Sequence, residues 1–251
     1  MIICNSHNFA VTRAQKTGGS SIEIYILQSG LVDESTDEYA LEGGFSSWQE
    51  YKNFSDNNHN LHYKDIPKEL WGEDSLRKAQ ITFAELVEQG KIAENMPCIG
   101  GIRHPFEWLA SLFYYANVRR EIHNAQVLAE GKELGTYEKL MNEYYPEPDS
   151  SWDFVFRKYL SMAEIQRSLK PQTDYYPDHA QLFNIENIHE HVSKFIADKG
   201  GIVPTERVQV RKSNNDPTYY INNLSDDRKK MTLEIYEKDL IAWEKAYAVY
   251  N

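Results

Sequence analysis

Short apolar runs rich in strand-forming residues alternate along the chain with segments whose apolar residues recur at helical spacing. Residues 9–12 form a first β-type run, and a glycine-containing turn then leads to an apolar stretch that predicts a buried helix ending near Gly30. Residues 98–103 predict a second strand and residues 182–185 a third. The order strand, turn, helix opens a βαβ unit, so the pattern predicts an α/β fold with a parallel sheet.

Five further segments show apolar residues at helical spacing. These segments comprise residues 82–90, 105–129, 152–160, 187–199 and 225–247. Pro105 stands where a helix begins, and Ser225 is a favourable N-cap for a long C-terminal helix. Residues 131–150 and 204–224 have little periodicity and are predicted to be loops.

Length and composition indicate a single globular domain. The chain has 251 residues, of which 41% are hydrophobic and 26% charged. Residues 31–75 are polar and irregular, and we expect them to form an insertion on the substrate side of this domain. Neither a signal peptide nor an apolar run of the roughly 18–20 residues that span a membrane is evident, so a cytoplasmic protein is expected.

The charge balance argues against a nucleic-acid binder. Lys and Arg number 27 against 38 Asp and Glu, which gives a formal net charge of −11. A local basic pocket for a small anion remains compatible with this balance. The two cysteines, Cys4 and Cys98, are too few for a disulfide scaffold and are expected to be small buried hydrophobes. No metal-ligand spacing is evident, so no metal is expected.

The turn after the first strand has the composition of an anion site. Its sequence is Lys16-Thr17-Gly18-Gly19-Ser20-Ser21. Glycines let the backbone wrap around a ligand, and the first N–H groups of the following helix point outwards with the positive end of the helix dipole. Phosphate or sulfate suits such a turn, although a plain βα turn with an exposed lysine is the alternative. A Walker A loop, by contrast, has its lysine after the glycines, which argues against a nucleotide kinase.

A second candidate anion element follows the second strand. Arg103 ends this strand, and ligands of open α/β sheets bind at the carboxyl ends of strands. Ser111 lies on the next helix, and a guanidinium with a nearby hydroxyl can hold one phosphate. A surface arginine and a packed serine would fit the same spacing. Gly100 and Gly101 within the strand predict a close approach of another backbone segment.

These two elements together resemble the cofactor motifs of sulfotransferases that use 3′-phosphoadenosine 5′-phosphosulfate (PAPS). The similarity is closest to carbohydrate sulfotransferases, including the uronyl 2-O type. Residues 9–22 (FAVTRAQKTGGSSI) are similar to the 5′-phosphosulfate loop, and residues 102–115 (IRHPFEWLASLFYY) to the 3′-phosphate motif. Residues 171–175 (PQTDY), 183–188 (FNIENI) and 236–239 (YEKD) resemble later and individually less specific segments of that family.

The resemblance implies one P-loop-like domain over residues 1–251, with three layers and a central parallel sheet flanked by helices. It implies an enzyme that moves a sulfuryl group from PAPS to a hydroxyl acceptor, a glycan or a small molecule, and leaves 3′-phosphoadenosine 5′-phosphate (PAP). Lys16 would contact the bridging oxygen of the phosphosulfate, and Arg103 and Ser111 would hold the 3′-phosphate. The 5′-phosphate would be cradled by Thr17, Gly18, Gly19, Ser20 and Ser21. Arg211 and Lys212 lie in a segment similar to a loop that closes over the nucleotide.

The chain departs from the family pattern at the catalytic base. Many relatives carry a histidine where this chain has Gln80, and a glutamine cannot accept a proton at neutral pH. His62 is the first replacement we consider and His59 the next, with His104 and Glu85 as further candidates. This departure leaves open a sulfotransferase-like nucleotide-binding protein without a base. A P-loop-type kinase is a separate alternative.

Overall fold

The structure is a computed structural model of the chain. The described residues are 1–33, 35–39, 81–135, 139, 142, 147–153, 169–205, 207 and 218–248. For residues 115–120, 122 and 123 the structure describes the backbone alone.

A mixed sheet of five strands lies at the centre of the described residues. The strands are β1 (Ile2–Cys4), β2 (Phe9–Val11), β3 (Glu38–Tyr39), β4 (Cys98–Ile102) and β5 (Gln181–Asn184), in the spatial order β3-β1-β2-β4-β5. Strands β2, β4 and β5 run parallel, whereas β1 is antiparallel to both of its neighbours. The three strands predicted from the sequence and the α/β class are confirmed, but the prediction of a parallel sheet is wrong for its β1–β3 side.

Strand β1 was not predicted because it is too short to show a period, and it forms a tight hairpin with β2. It has only three residues, and the turn at residues 5–8 returns the chain directly into β2, with Asn8 in the left-handed region at φ 52°. A two-strand connection this short permits only antiparallel pairing, whereas parallel pairing needs a crossover.

Helices account for most of the remaining described residues. They are α1 (Gly19–Gln28), α2 (Phe83–Glu88), α3 (Pro105–Ala129), α4 (Pro148–Asp153), α5 (Ile188–Asp198), α6 (Thr218–Asn223), α7 (Asp226–Ile235) and α8 (Glu237–Ala248), with 3-10 turns at Gln172–Tyr175 and Ile185–Asn187. The helices predicted after the glycine turn and at residues 82–90, 105–129 and 187–199 are confirmed.

Two helix predictions and one loop prediction need correction. Helix α4 begins at Pro148, before the predicted start at residue 152, and residues 154–160 of that prediction lie outside the described residues. Helix α6 lies within the segment predicted to be a loop. The single C-terminal helix is divided into α7 and α8 at Tyr236, whose fully buried hydroxyl donates to the Leu169 carbonyl oxygen at 2.8 Å. The break thus turns this tyrosine into the interior.

Helices cover both faces of the sheet, because alternate strand residues point to opposite sides. Ile2, Cys4, Phe9 and Val11 pack with residues of α1 and α5 in one apolar cluster. Ile3, Ala10 and Cys98 pack on the other face with residues of α2. Both cysteines are free and buried, as expected from the sequence, and burial raises the pKa of each thiol.

The parallel pairing has one consequence for function. The carboxyl ends of β2, β4 and β5 meet at one edge of the sheet, where Thr12, Arg103 and Ile185 follow the strands. Among the described helices, none combines the length and apolar character that crossing a membrane requires.

Candidate functional site

The glycine turn occupies the carboxyl edge of β2, as its sequence predicts. Lys16 and Gly18 both adopt left-handed backbone conformations, at φ 64° and 76°. Gly18 is the N-cap of α1 and provides no side-chain cap, and the first turn of α1 contains no acidic residue. The positive end of the α1 dipole is therefore not countered by a carboxylate within its own first turn, which suits an anionic ligand.

Two glycines let this turn pack closely against its neighbours. A Cβ atom on Gly101 of β4 would lie 1.9 Å from the carbonyl oxygen of Thr17. A Cβ atom on Gly18 would lie 2.7 Å from Cδ1 of Ile188, at the start of α5. Gly101 requires glycine because the obstacle there is main chain, and at Gly18 the left-handed backbone disfavours any larger residue. The predicted close approach of a backbone segment is confirmed at Gly101 by the Thr17 carbonyl, whereas a Cβ on Gly100 would overlap the Tyr176 side chain.

Side chains from distant parts of the chain anchor the backbone that enters the turn. The buried Tyr176 hydroxyl accepts a hydrogen bond from the Ala14 N–H at 3.0 Å and donates to the Gly101 carbonyl oxygen at 2.8 Å. The Trp108 indole N–H, on the first turn of α3, donates to the Gln15 carbonyl oxygen at 2.7 Å. The turn is thus tied to both β4 and α3, and burial raises the pKa of Tyr176.

Several polar side chains of the turn are engaged in holding its shape. Thr17 is fully buried, and its hydroxyl donates to the Ala14 carbonyl oxygen at 3.0 Å. The Thr17 side chain therefore does not have the ligand contact that was expected for it. Ser20 accepts a hydrogen bond from Arg13 at 2.9 Å, and the same guanidinium nitrogen lies 2.9 Å from a carboxylate oxygen of Glu23. Lys16 and Ser21 are partly exposed at this edge.

Arg103 follows β4 at the same edge, and Ser111 lies further along α3. Both side chains are partly exposed. The Arg103 Nε lies 3.4 Å from a carboxylate oxygen of Glu107, one helical turn along. The main-chain N–H of Arg103 donates to Oε1 of the Gln172 side chain at 2.9 Å, and its carbonyl oxygen accepts from Nε2 of the same amide at 2.9 Å.

Glu186 is a residue of this edge that the sequence did not single out as functional. It is exposed on the 3-10 turn after β5, where the Asn184 side chain accepts a hydrogen bond from the Glu186 N–H at 2.9 Å. Partial burial of the carboxyl and the Glu107 carboxylate raise the pKa of Glu186, and Arg103 opposes that shift. The resemblance of residues 183–188 to a family segment was the available signal.

Two candidate bases from the sequence are engaged elsewhere. His104 caps α3, with Nδ1 accepting the Phe106 N–H at 3.3 Å, and burial lowers the pKa of His104. A neutral His104 therefore carries its proton on Nε2 and presents no free acceptor. The Glu85 carboxylate accepts the Thr82 N–H at 2.7 Å in a capping box of α2.

Five residues from the sequence predictions lie outside the described residues. They are His59, His62, Gln80, Arg211 and Lys212. Within the described ranges, no three His, Cys, Asp or Glu side chains come together as a metal-ligand set. Comparison of the chain with models of protein families, with curated proteins and with solved structures gives no match.

Proposed function

We propose that this chain is a PAPS-dependent sulfotransferase with a P-loop-like fold, which sulfates a hydroxyl group of a carbohydrate or small-molecule acceptor in the cytoplasm. One observation carries the proposal. The two anion elements that resemble the family motifs lie at one edge of the sheet, and the Thr17 carbonyl packs directly against Gly101, two residues before Arg103. Both ends of a doubly phosphorylated nucleotide could then be held at once.

The described residues fit such a ligand. The start of α1, with Gly18 as its N-cap and without an acidic first turn, suits the 5′-phosphosulfate. Lys16 adds a full positive charge beside it, and the Arg103 guanidinium with the Ser111 hydroxyl suits the 3′-phosphate. Since the Thr17 hydroxyl already donates to the Ala14 carbonyl oxygen, the main-chain N–H groups at the start of α1 would supply most of the donors.

In the proposed reaction a bond forms between the acceptor oxygen and sulfur, the bond between sulfur and the bridging phosphate oxygen breaks, and the hydroxyl proton passes to a base. Lys16 would stabilise the charge that grows on the bridging oxygen, which is electrostatic catalysis rather than covalent chemistry. His62 and then His59 remain the candidates for the base, because His104 and Glu85 are engaged as helix caps.

Calorimetric titration with PAP tests the cofactor site. We expect the wild-type chain to bind PAP and Arg103→Ala to bind it at least about tenfold more weakly, because a hydrogen bond to a charged group contributes about 1.5–3 kcal/mol. Lys194→Ala is the matched control, since this exposed cation of α5 pairs with Asp198 and should leave PAP affinity unchanged. Absence of PAP binding by the wild type would refute the proposal.

Turnover separates the enzyme from the alternatives. The expected result is transfer of labelled sulfate from PAPS to a sugar or phenol acceptor, and loss of that transfer in Lys16→Ala even at PAPS concentrations that saturate the variant. PAP binding without transfer to any acceptor in the panel would indicate the binding protein that lacks a base, which the glutamine at position 80 favours. A larger thermal shift with ATP and magnesium than with PAP would indicate the kinase.

A further inference from the structure

Two sequence segments far apart in the chain meet behind Arg103. Residues 171–175 and residues 236–239 both resemble family segments, and the proposed function assigns neither of them a role. In the structure the 3-10 turn Gln172–Tyr175 packs against α8, which begins at Glu237, and α8 also contacts β4 and β5.

Asp239 organises this contact from the interior. Its carboxylate is fully buried and accepts the Gln172 N–H at 2.7 Å, the Thr173 N–H at 2.9 Å and the Thr173 hydroxyl at 2.8 Å. A buried carboxylate requires such donors, because an unpaired charge would be costly away from water. The three bonds fix the main chain of the turn relative to α8.

Gln172 transmits this placement to Arg103. Its fully buried side chain makes a two-point contact, accepting the Arg103 N–H and donating to the Arg103 carbonyl oxygen, each at 2.9 Å. Arg103 is the first residue beyond β4. The Gln172 amide therefore hydrogen bonds to the main chain one residue beyond the end of β4. These bonds fix the position of the Arg103 main chain, from which the guanidinium side chain extends.

We infer that Gln172 and Asp239 are positioning residues that hold the main chain of Arg103 so that its guanidinium meets the 3′-phosphate of the nucleotide. The inference rests on the proposed function. It predicts that loss of Gln172 acts on nucleotide affinity through Arg103, whereas a purely structural role would weaken binding to the same degree with or without that arginine.

A double-mutant cycle measured by calorimetry with PAP tests this dependence. Gln172→Ala should weaken PAP binding about fivefold or more, since the two hydrogen bonds from the Gln172 side chain to the Arg103 main chain are lost. In the Arg103→Ala background the same substitution should have no further effect, which makes the pair non-additive. Asn124→Ala is the matched control, because it removes another buried side-chain amide roughly 30 Å further along α3 and should leave PAP affinity unchanged.

A second variant covers the case in which Gln172→Ala fails to fold. Asp239→Asn keeps the volume and one acceptor oxygen, and it should weaken PAP binding in the wild-type background only. Full additivity of either substitution with Arg103→Ala, or wild-type affinity in Gln172→Ala, would overturn the positioning role alone. Absence of PAP binding by the wild type would overturn the proposed function, and the positioning role with it.

Discussion

Replacement of Gly101 by alanine should damage the glycine turn more than it damages the sheet. The added methyl carbon would lie 1.9 Å from the Thr17 carbonyl oxygen and 3.0 Å from the carbon of the same carbonyl. The obstacle is main chain, so no side-chain rotation can relieve the overlap. The turn must therefore move away from β4.

The size of the effect follows from this distance. The optimal separation of non-bonded heavy atoms is about 3.5 Å, so the added methyl carbon and the Thr17 carbonyl oxygen must move apart by roughly 1.5 Å. Overpacking of this kind costs about 1–3 kcal/mol of stability. A displacement of about 1 Å in a group that positions a substrate can reduce turnover by about 10²-fold. We therefore expect a moderate loss of stability and a much larger loss of sulfate transfer.

Thermal unfolding and PAPS turnover, measured on the same preparations, separate the two effects. Gly201→Ala is the matched control, because its methyl carbon would lie 2.7 Å from Cγ of Leu31, a side chain in the apolar core. Gly201 lies beyond the C-terminal end of α5, whereas Ile188, at the N-terminal end of α5, contacts the glycine turn. The control should lose stability and keep the turnover of the folded protein.

The reasoning would be refuted by a Gly101→Ala protein that folds and turns over at the wild-type rate. An equal loss of turnover in Gly201→Ala would refute it as well, because the effect would then follow stability and not the position of the turn.

Three further predictions concern the surroundings of the turn. Trp108→Phe should weaken PAP binding about fivefold, since it keeps an aromatic ring but removes the indole donor to the Gln15 carbonyl oxygen, a bond of about 1 kcal/mol; unchanged affinity in calorimetry would contradict this. Glu186→Gln should bind PAP more tightly than the wild type at about pH 7.5, because it removes a carboxylate that repels an anion at Arg103. This advantage should shrink towards about pH 5, since burial and a nearby carboxylate raise the pKa of Glu186 and the protonated acid no longer repels the anion. A difference in affinity that does not change with pH would contradict this prediction. Thr82→Ala should lower stability by about 1 kcal/mol in chemical unfolding through loss of the α2 cap and leave PAP affinity unchanged, so a change in affinity would show that α2 reaches the site.

Local chemistry made much of the fold predictable. Pro105 opens α3, the glycine turn ends β2 and begins α1, and the Gly100–Gly101 pair allows a second backbone segment to come close. Each of these features depends on the conformational range of a few neighbouring residues. Such preferences act in any surroundings, so they can be recognised without a structure.

The elements that escaped prediction depend on contacts across the chain. Strand β1 is too short to show a period and exists because β2 and β3 pair with it. The break between α7 and α8 has no proline or glycine to announce it, and it coincides with burial of Tyr236 against Trp108, with ring centres 5.0 Å apart. The helical spacing on either side continues through the break.

By itself, the sequence determined the glycine turn, strand β4 and the position of Arg103 directly after that strand. These features depend on residues close together in the chain. Only the tertiary structure decided how the two anion elements are held. Tyr176 joins Ala14 to Gly101, and Gln172 with Asp239 holds Arg103. These hydrogen bonds join residues separated by 67 to 162 positions, and such partners become neighbours only when the whole sheet and α8 have assembled.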